Sequence, residues 1–549
     1  MSKPAPVHSS ARAIAACTLT SRITGLVRDM LLVHTFTLSG TLDAFNYGFL
    51  IPNLFRRLFG EGTLAAVFVP TFTRTLEHDG PPAAWKLLAR TLALLTVSIV
   101  AVMLLIEALI VVIWLLAPDG PQRSLTLSLT ALMLPFMLAI CVVALFSSIL
   151  NCVGSFVPAA LTPVVLNLVM IAGIVYLAPA LGSQPEQQIF GVALAVLVAG
   201  GLQVAVLLPV LRRHGVTLGW SWRPRDPHVA GMLGMMPPVL AGQGVLLVST
   251  FIDATVCKLL TADGTAGTTL PGWHFDYPLQ AGALSAVTVA QRLYQFPLGV
   301  LGISLAVAAL PTLSRLAARG QMENWSHQAT AALRLALFVG LGAGALMLVL
   351  AEPIVRLLFE YRRFTPADTA RAAHVLVFYG LGLWAFCANH IVLRGFYSLG
   401  DVRTPVKISL ALMPINVGLS LALVWNPAIR EAAFAIASAA TSSLAVVIGL
   451  VLLRRHAGAR LGDWQAAGAV ARMLAAAAAA ALAAVAVRHW WSAALAQAGW
   501  PVVLARAADT LGALLLGTAV FVLVCTLLRL PEPALLLKLS RNRRPRGEE

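Results

Sequence analysis

The chain has 549 residues, of which 59% are hydrophobic and only 11% charged, with a mean hydropathy of +0.84, whereas a soluble globular protein carries roughly 25% charged residues. That composition excludes a soluble fold, and repeated apolar stretches of about 20 residues broken by proline, glycine and charge exclude the weakly alternating pattern of a β-barrel. The formal net charge of +16 would point to nucleic acid in a soluble protein, but in a membrane protein basic residues first report topology.

Hydropathy predicts helices near 11–36, 43–73, 86–117, 124–151, 158–180, 187–212, 228–260, 279–316, 327–358, 368–398, 404–425, 429–454, 468–488 and 505–529. These are fourteen spans of an all-α polytopic membrane protein. An even number places both termini on one side. Lys86, Arg90, Arg212, Arg213, Arg223, Arg225, Arg315, Arg319, Arg403, Lys407, Arg454 and Arg455 share that side with the tail RNRRPRGEE, while the other carries chiefly Arg123, Arg362, Arg363, Arg430 and Arg488. The positive-inside rule makes the richer side cytoplasmic, and the tail reads as a topology anchor against anionic membrane lipid. The first apolar segment is interrupted by Arg22, Arg28 and Asp29 and is followed by no small-residue cleavage site, so no cleavable signal peptide is expected.

The chain repeats itself. VFVPTFTR, ending at Arg74, is echoed by AALPTLSR, ending at Arg315, which maps Pro70 onto Pro311 at an offset of 241 residues; a TPV element maps Pro163 onto Pro405 at 242. Two unrelated elements at nearly one offset predict a duplicated bundle: a first lobe over 1–215 (helices 1–6), a second over 216–456 (helices 7–12), two added helices over 457–530 and a basic cytoplasmic tail over 531–549. Two pseudo-symmetric six-helix lobes are expected to hold a substrate between them near the middle of the membrane.

The stretch Ser21–Arg74 carries Arg22, Arg28, Asp29, Asp43, Arg56, Arg57 and Glu61 within its first two spans. A charge at bilayer mid-depth costs about 2.5–3.5 kcal/mol on insertion scales, so such groups face a polar cavity or are paired. Arg57 and Glu61, four apart, share a helix face, as do Arg22 and Asp29, seven apart; such pairs neutralise one another or staple helices. Arg28, Arg56 and Arg292 have no acid at those spacings, which implies an anionic ligand or an acid on another helix. The planar guanidinium grips a diphosphate or carboxylate at two points. Pro52, Gly60 and Gly62 predict a bent or unwound segment beside these charges.

Asp253, five residues before Lys258, is read either as the holder of a coupling cation or proton or as the partner of a base in the second lobe; both readings stay open. Asn389 and His390, the latter four residues from Arg394, read as satisfied polar packing, since no acid or nucleophile stands at a catalytic spacing. The segment 261–282, rich in glycine and threonine, is expected to be an extracytoplasmic loop. Six cysteines lie singly in apolar segments without metal-like spacing and read as inert thiols. No phosphate-binding loop, zinc-protease or nucleophile-elbow motif is present, so a transporter rather than an enzyme is expected, without a cofactor. A gradient of a monovalent cation (sodium or proton) or the membrane potential is left as the energy source.

At SRITGLVRD, LDAFNYGFLIPNLFRRLFGEGTLAAVFVPTFTR, VAQRLYQFPLGVLGISLAVAALPTLSR and GFYSLGDVRTPVKI the chain closely resembles the MurJ/MviN family of bacterial lipid II flippases, of the multidrug/oligosaccharidyl-lipid/polysaccharide exporter superfamily. The resemblance implies a multi-pass protein of the bacterial cytoplasmic (inner) membrane. It would move undecaprenyl-diphosphate-linked disaccharide-pentapeptide to the outer leaflet, for peptidoglycan synthesis and cell shape, with the last two helices forming a groove for the lipid tail. It implies substrate-binding arginines at Arg22, Arg28, Arg56, Arg57 and Arg292, gating or charge-pairing acids at Asp29, Asp43 and Glu61, and a sodium position at Asp253. Family members often have acids where this chain has Gln291 and Gln295. Lipid II and membrane lipids are the implied partners, with cell-wall synthesis proteins a further possibility and nucleic acid excluded. The alternatives are an exporter of another polyprenyl-linked glycan or of a drug, and, less favoured, a membrane-embedded glycosyl- or acyltransferase.

Overall fold

A computed structural model describes residues 7–58, 64–116, 120–223, 226–262, 276–458, 464–497 and 500–541. By its internal contacts the chain forms two compact units, Met1–Ser285 and Ala286–Glu549. Most of the described residues are helical, and an isolated bridge joins Thr261 to Leu279. Eleven helices among them are long and apolar enough to cross a bilayer.

In the first unit the helices are α1 (Val7–Phe36), α2 (Gly40–Phe55), α3 (Leu64–His78), α4 (Pro81–Leu116), α5 (Pro121–Met133), α6 (Pro135–Cys152), α7 (Val157–Ala172), the short α8 (Ala178–Ala180), α9 (Pro185–Arg213) and α10 (Pro227–Leu259). Their ends follow local chemistry. Ser39 caps α2, its hydroxyl accepting from the Leu42 amide; α5 and α9 open on proline at a position where no N–H is needed. Arg212 and Arg213 occupy the last turn of α9, where the helix dipole favours cations. α1 packs on α7, and α2 packs on α5, α6, α9 and α10, burying Leu42, Phe45, Phe136, Met137 and Val192.

The second unit takes in α11 (Ala283–Pro297, from its second turn), α12 (Ser304–Ala318), α13 (Met322–Phe359), α14 (Pro366–Ser398), α15 (Arg403–Leu423), α16 (Ala432–Ala457), α17 (Trp464–Gln497), α18 (Val502–Leu527) and α19 (Glu532–Arg541). Thr365 and Asp368 form a reciprocal capping box at the start of α14. α14 packs against α13 and α16. The two added helices pack on each other and on α13: Ala469, Met473, Ala476, Ala480 and Ala484 of α17 sit at helical spacing against Phe338 and Phe521. Small side chains let these backbones approach closely, which is how helices associate where lipid is as apolar as leucine.

The predicted duplication is visible in the helix bounds. Moved by 241 residues, Leu64–His78 falls on 305–319 and Pro81–Leu116 on 322–357, beside Ser304–Ala318 and Met322–Phe359. Moved by 242, Gly40–Phe55 falls on 282–297, beside Ala283–Pro297. The irregularity repeats too. Residues 56–58 are π-helical, and so are Leu298–Ile303. In both copies the widened turn follows a helix with an internal proline, Pro52 or Pro297. Proline cannot donate the ladder hydrogen bond and crowds the preceding carbonyl, so the backbone widens to recover partners. The expected continuous helix over 43–73 is therefore interrupted, as are those over 124–151, which break at Pro135, and 279–316.

Candidate functional site

Among the described residues, the charges of the Ser21–Arg74 stretch are spread in depth along their helices. Counted along each helix from the turn at 37–39, at 1.5 Å per residue, Asp43 lies about 5 Å in on α2 and Arg28 about 12 Å in on α1. Arg22 and Arg56 lie deeper, at about 21 Å and 24 Å.

Ser21, Thr24, Gly25 and Arg28 fall on one stripe of α1, three, four and seven residues apart, and that stripe faces Asn167 of α7. A side chain at Gly25 would meet the Asn167 amide at 3.4 Å, so glycine lets Asn167 lie close to the α1 backbone. The amide nitrogen donates to the Ser21 carbonyl (3.0 Å) and to Thr24 Oγ1 (3.2 Å), while its oxygen accepts from Arg28 Nη1 (2.9 Å). The remaining guanidinium donors close on the adjacent residue: Nε and Nη2 of Arg28 donate to Asp29 Oδ1 at 3.0 and 2.6 Å. Arg28 is 8% exposed. Spacing alone left Arg28 without an acid and gave Asp29 to Arg22; the structure pairs Arg28 with Asp29, and Arg22 is exposed. Residues adjacent in a helix diverge by about 100°, but an arginine side chain is long enough to curl back. Asn167 was passed over in the sequence; its signal was a single amide in the apolar run Val164–Met170.

Asp43 is fully buried. It accepts three hydrogen bonds, from the Gly282 amide (2.8 Å), the Ser285 amide (2.7 Å) and the Ser285 hydroxyl (2.6 Å). Those donors are the residue before α11 and its first turn, where backbone N–H groups have no helical partner, so the carboxylate caps a second helix from outside. Asn46 and Tyr47, three and four residues on, extend the same face of α2 to Ser285 Oγ (3.2 Å) and to Thr255 Oγ1 of α10 (3.2 Å). Gly282 is fixed by geometry: its φ is +87°, and a Cβ there would stand 2.1 Å from the Leu38 carbonyl oxygen. Lys258, near the end of α10, acts electrostatically on Asp43, and its buried ammonium has no hydrogen-bond partner among the described residues. Neither Ser285 nor Lys258 was linked to Asp43 by spacing.

Arg56 donates to Asn53 Oδ1 (2.9 Å) and stands with the half-buried Arg57 in the π-helical turn after α2. Glu61, the expected partner of Arg57, lies outside the described residues, as do Gly60, Gly62, most of the 261–282 loop and the tail beyond Arg541. Arg292 is exposed on α11, while its neighbour Gln291 donates to Tyr379 Oη (3.0 Å) and Tyr294 stacks on Tyr379 at 4.5 Å. Asp253 is half-buried on α10, and among the described residues no three metal-ligating side chains gather. His390 is not satisfied as expected: its Nδ1 is buried without a hydrogen-bond partner among the described residues. All six cysteines are free, five of them buried.

A family profile described as lipid II flippase MurJ matches residues 32–507. A Rhizobium tropici protein named probable lipid II flippase MurJ is 29% identical over 539 residues, 97% of this chain and 96% of its own. A Vibrio cholerae protein of the same name is 32% identical over 424 residues, 75% of this chain and 76% of its own. Among solved structures, lipid II flippase MurJ in an inward closed conformation aligns at a TM-score of 0.71 with 19% identity, covering 94% of this chain and 98% of that one. An inward-facing multidrug resistance MATE family transporter of the MOP superfamily aligns at 0.65 with 15% identity, covering 82% and 98%. At such identities the structural likenesses establish the fold.

Proposed function

The chain belongs to the MurJ family, and from that premise we propose that it carries lipid II across the bacterial cytoplasmic membrane, opening alternately to either face, with both termini cytoplasmic. No bond is made or broken in this scheme. Arg22, Arg28, Arg56, Arg57 and Arg292 take the diphosphate and nearby anionic groups of the substrate, while the polyprenyl tail stays in lipid beside α17 and α18. Asp29, Asp43 and Glu61 hold charges and helix ends in place between substrates.

The observation that supports this reading is the state of Arg28. Its fork is buried on α1, already desolvated and held by Asp29 and Asn167. A group so fixed loses little freedom on binding. A diphosphate offers more acceptor oxygens than one carboxylate and draws on the exposed Arg22, about 9 Å further along α1. Asp29 keeps the guanidinium oriented in the empty protein and yields part of it when the diphosphate arrives.

The test is a depletion strain complemented with Arg28→Ala. Loss of growth and of externally exposed lipid II is expected; normal growth with normal exposure would sink the proposal. Reconstituted protein, with the potential and the sodium and proton gradients varied separately, tests coupling at Asp253: in Asp253→Asn, any dependence on a cation gradient that the wild type shows is expected to vanish.

A further inference from the structure

We propose that residues 212–223, the last two of α9 and the segment that follows them, form a built site for the headgroups of anionic phospholipid on the basic side of the membrane. Helix α9 ends in a Schellman motif: the Gly215 amide donates to the Arg212 carbonyl and the Val216 amide to the Leu211 carbonyl, with Gly215 at φ +73°. Val216 is thereby tucked in at 4% exposure. From there to Arg223 the chain forms no helix or strand, yet it is tied down. Gly219 lies against Ala89 of α4, and Asp226 pairs with Arg90 of α4.

That attachment fixes the depth of the segment. Lys86 and Arg90 are the last charged residues of α4 before the uncharged, largely apolar run 91–106, so Ala89 and Arg90 mark the boundary between headgroups and hydrocarbon. At this level the segment presents Leu218, Trp220 and Trp222, which are 39%, 60% and 50% exposed. They are spaced by two, as on one face of an extended chain, with Gly219 turned to α4. Indole rings favour this zone, where the ring meets acyl chain and the N–H meets water. Arg212, Arg213 and Arg223 are exposed around them, and the local acid, Asp226, is already taken by Arg90. Aromatic wedges ringed by exposed arginine at headgroup depth match a lipid phosphate of net negative charge.

Full-length protein in nanodiscs of phosphatidylcholine and phosphatidylglycerol, with one lipid at a time carrying brominated acyl chains, tests this. The two indoles are read as the fluorescence difference between wild type and Trp220→Phe/Trp222→Phe. Both lipids are expected to quench them, phosphatidylglycerol about two-fold more at equal content. In Arg212→Gln/Arg213→Gln/Arg223→Gln the preference should fall to unity while quenching persists. Indoles unquenched by either lipid would overturn the proposal and leave the segment to a soluble protein partner. Equal quenching by both lipids in the wild type would overturn the anionic site.

Discussion

Replacing Asp43 isolates the contact that ties α2 to the start of α11. Asp43→Ala strands the Gly282 and Ser285 amides and the Ser285 hydroxyl, which now donate at 2.6–2.8 Å, and leaves the Lys258 ammonium without its opposing charge. Each orphaned buried donor costs about 1–3 kcal/mol, and breaking a buried charge interaction about 3–5 kcal/mol in total, so a loss of about 3–5 kcal/mol is expected. Asp43→Asn keeps one acceptor but sets an amide N–H against the Gly282 amide, and should lose about half as much. Ser285→Ala removes one of three bonds and should cost about 1–2 kcal/mol. Because both residues share one network, the double variant Asp43→Asn/Ser285→Ala should lose less than the sum of the singles, by about 1 kcal/mol. Equilibrium unfolding of the full-length protein in mixed micelles measures all four. Asp43→Ala within about 0.5 kcal/mol of wild type, or an additive cycle, would refute the assignment of Asp43 as an external helix cap.

Other substitutions probe the rest of the first unit and one loop of the second. Gly282→Ala forces a side chain into a left-handed conformation 2.1 Å from the Leu38 carbonyl, so its destabilisation should match or exceed that of Asp43→Asn by the same unfolding measurement. Arg28→Lys keeps the charge but not the fork that spans Asp29 and Asn167; in the depletion strain it should support only partial growth and lipid II exposure, better than Arg28→Ala. Asn167→Ala leaves Arg28 charged but unsteadied, and should weaken lipid II binding several-fold while leaving expression unchanged. Burial tends to raise the Asp401 carboxyl, but hydrogen bonds from Thr404 and the Arg403 amide, with His456 nearby, hold it below its ordinary value of 3.8. A depressed folded-state value gives stability that is present above pH 3.8 and lost as pH falls further. Asp401→Asn should therefore flatten the acid limb of the stability profile below pH 3.8; an unchanged limb would refute the role.

Helix positions and the duplication were legible because each is local or periodic. Apolar runs of about 20 residues report spans directly, and a repeat offset of 241 or 242 survives in Pro70, Pro311, Pro163 and Pro405. Pro52 signalled the interruption of the second span, though not that the backbone would widen into a π turn. The pairing of charges was not legible. Spacing rules consider residues three, four or seven apart, whereas Arg28 turned to its immediate neighbour and to an amide 139 positions away.

The sequence by itself determined an all-α membrane protein, the duplicated order of its helices and the residues dense in unexpected charge, because hydrophobicity and chain periodicity act over short distances. Only the tertiary structure decided which charges are spent on the protein itself. Asp43 is occupied by the first turn of α11, Asp29 by Arg28 and Asp226 by Arg90, and Trp220 and Trp222 are left exposed. Partners more than a hundred residues apart are chosen by helix packing and by the need of every buried donor and charge for a counterpart, and neither leaves a spacing in the chain.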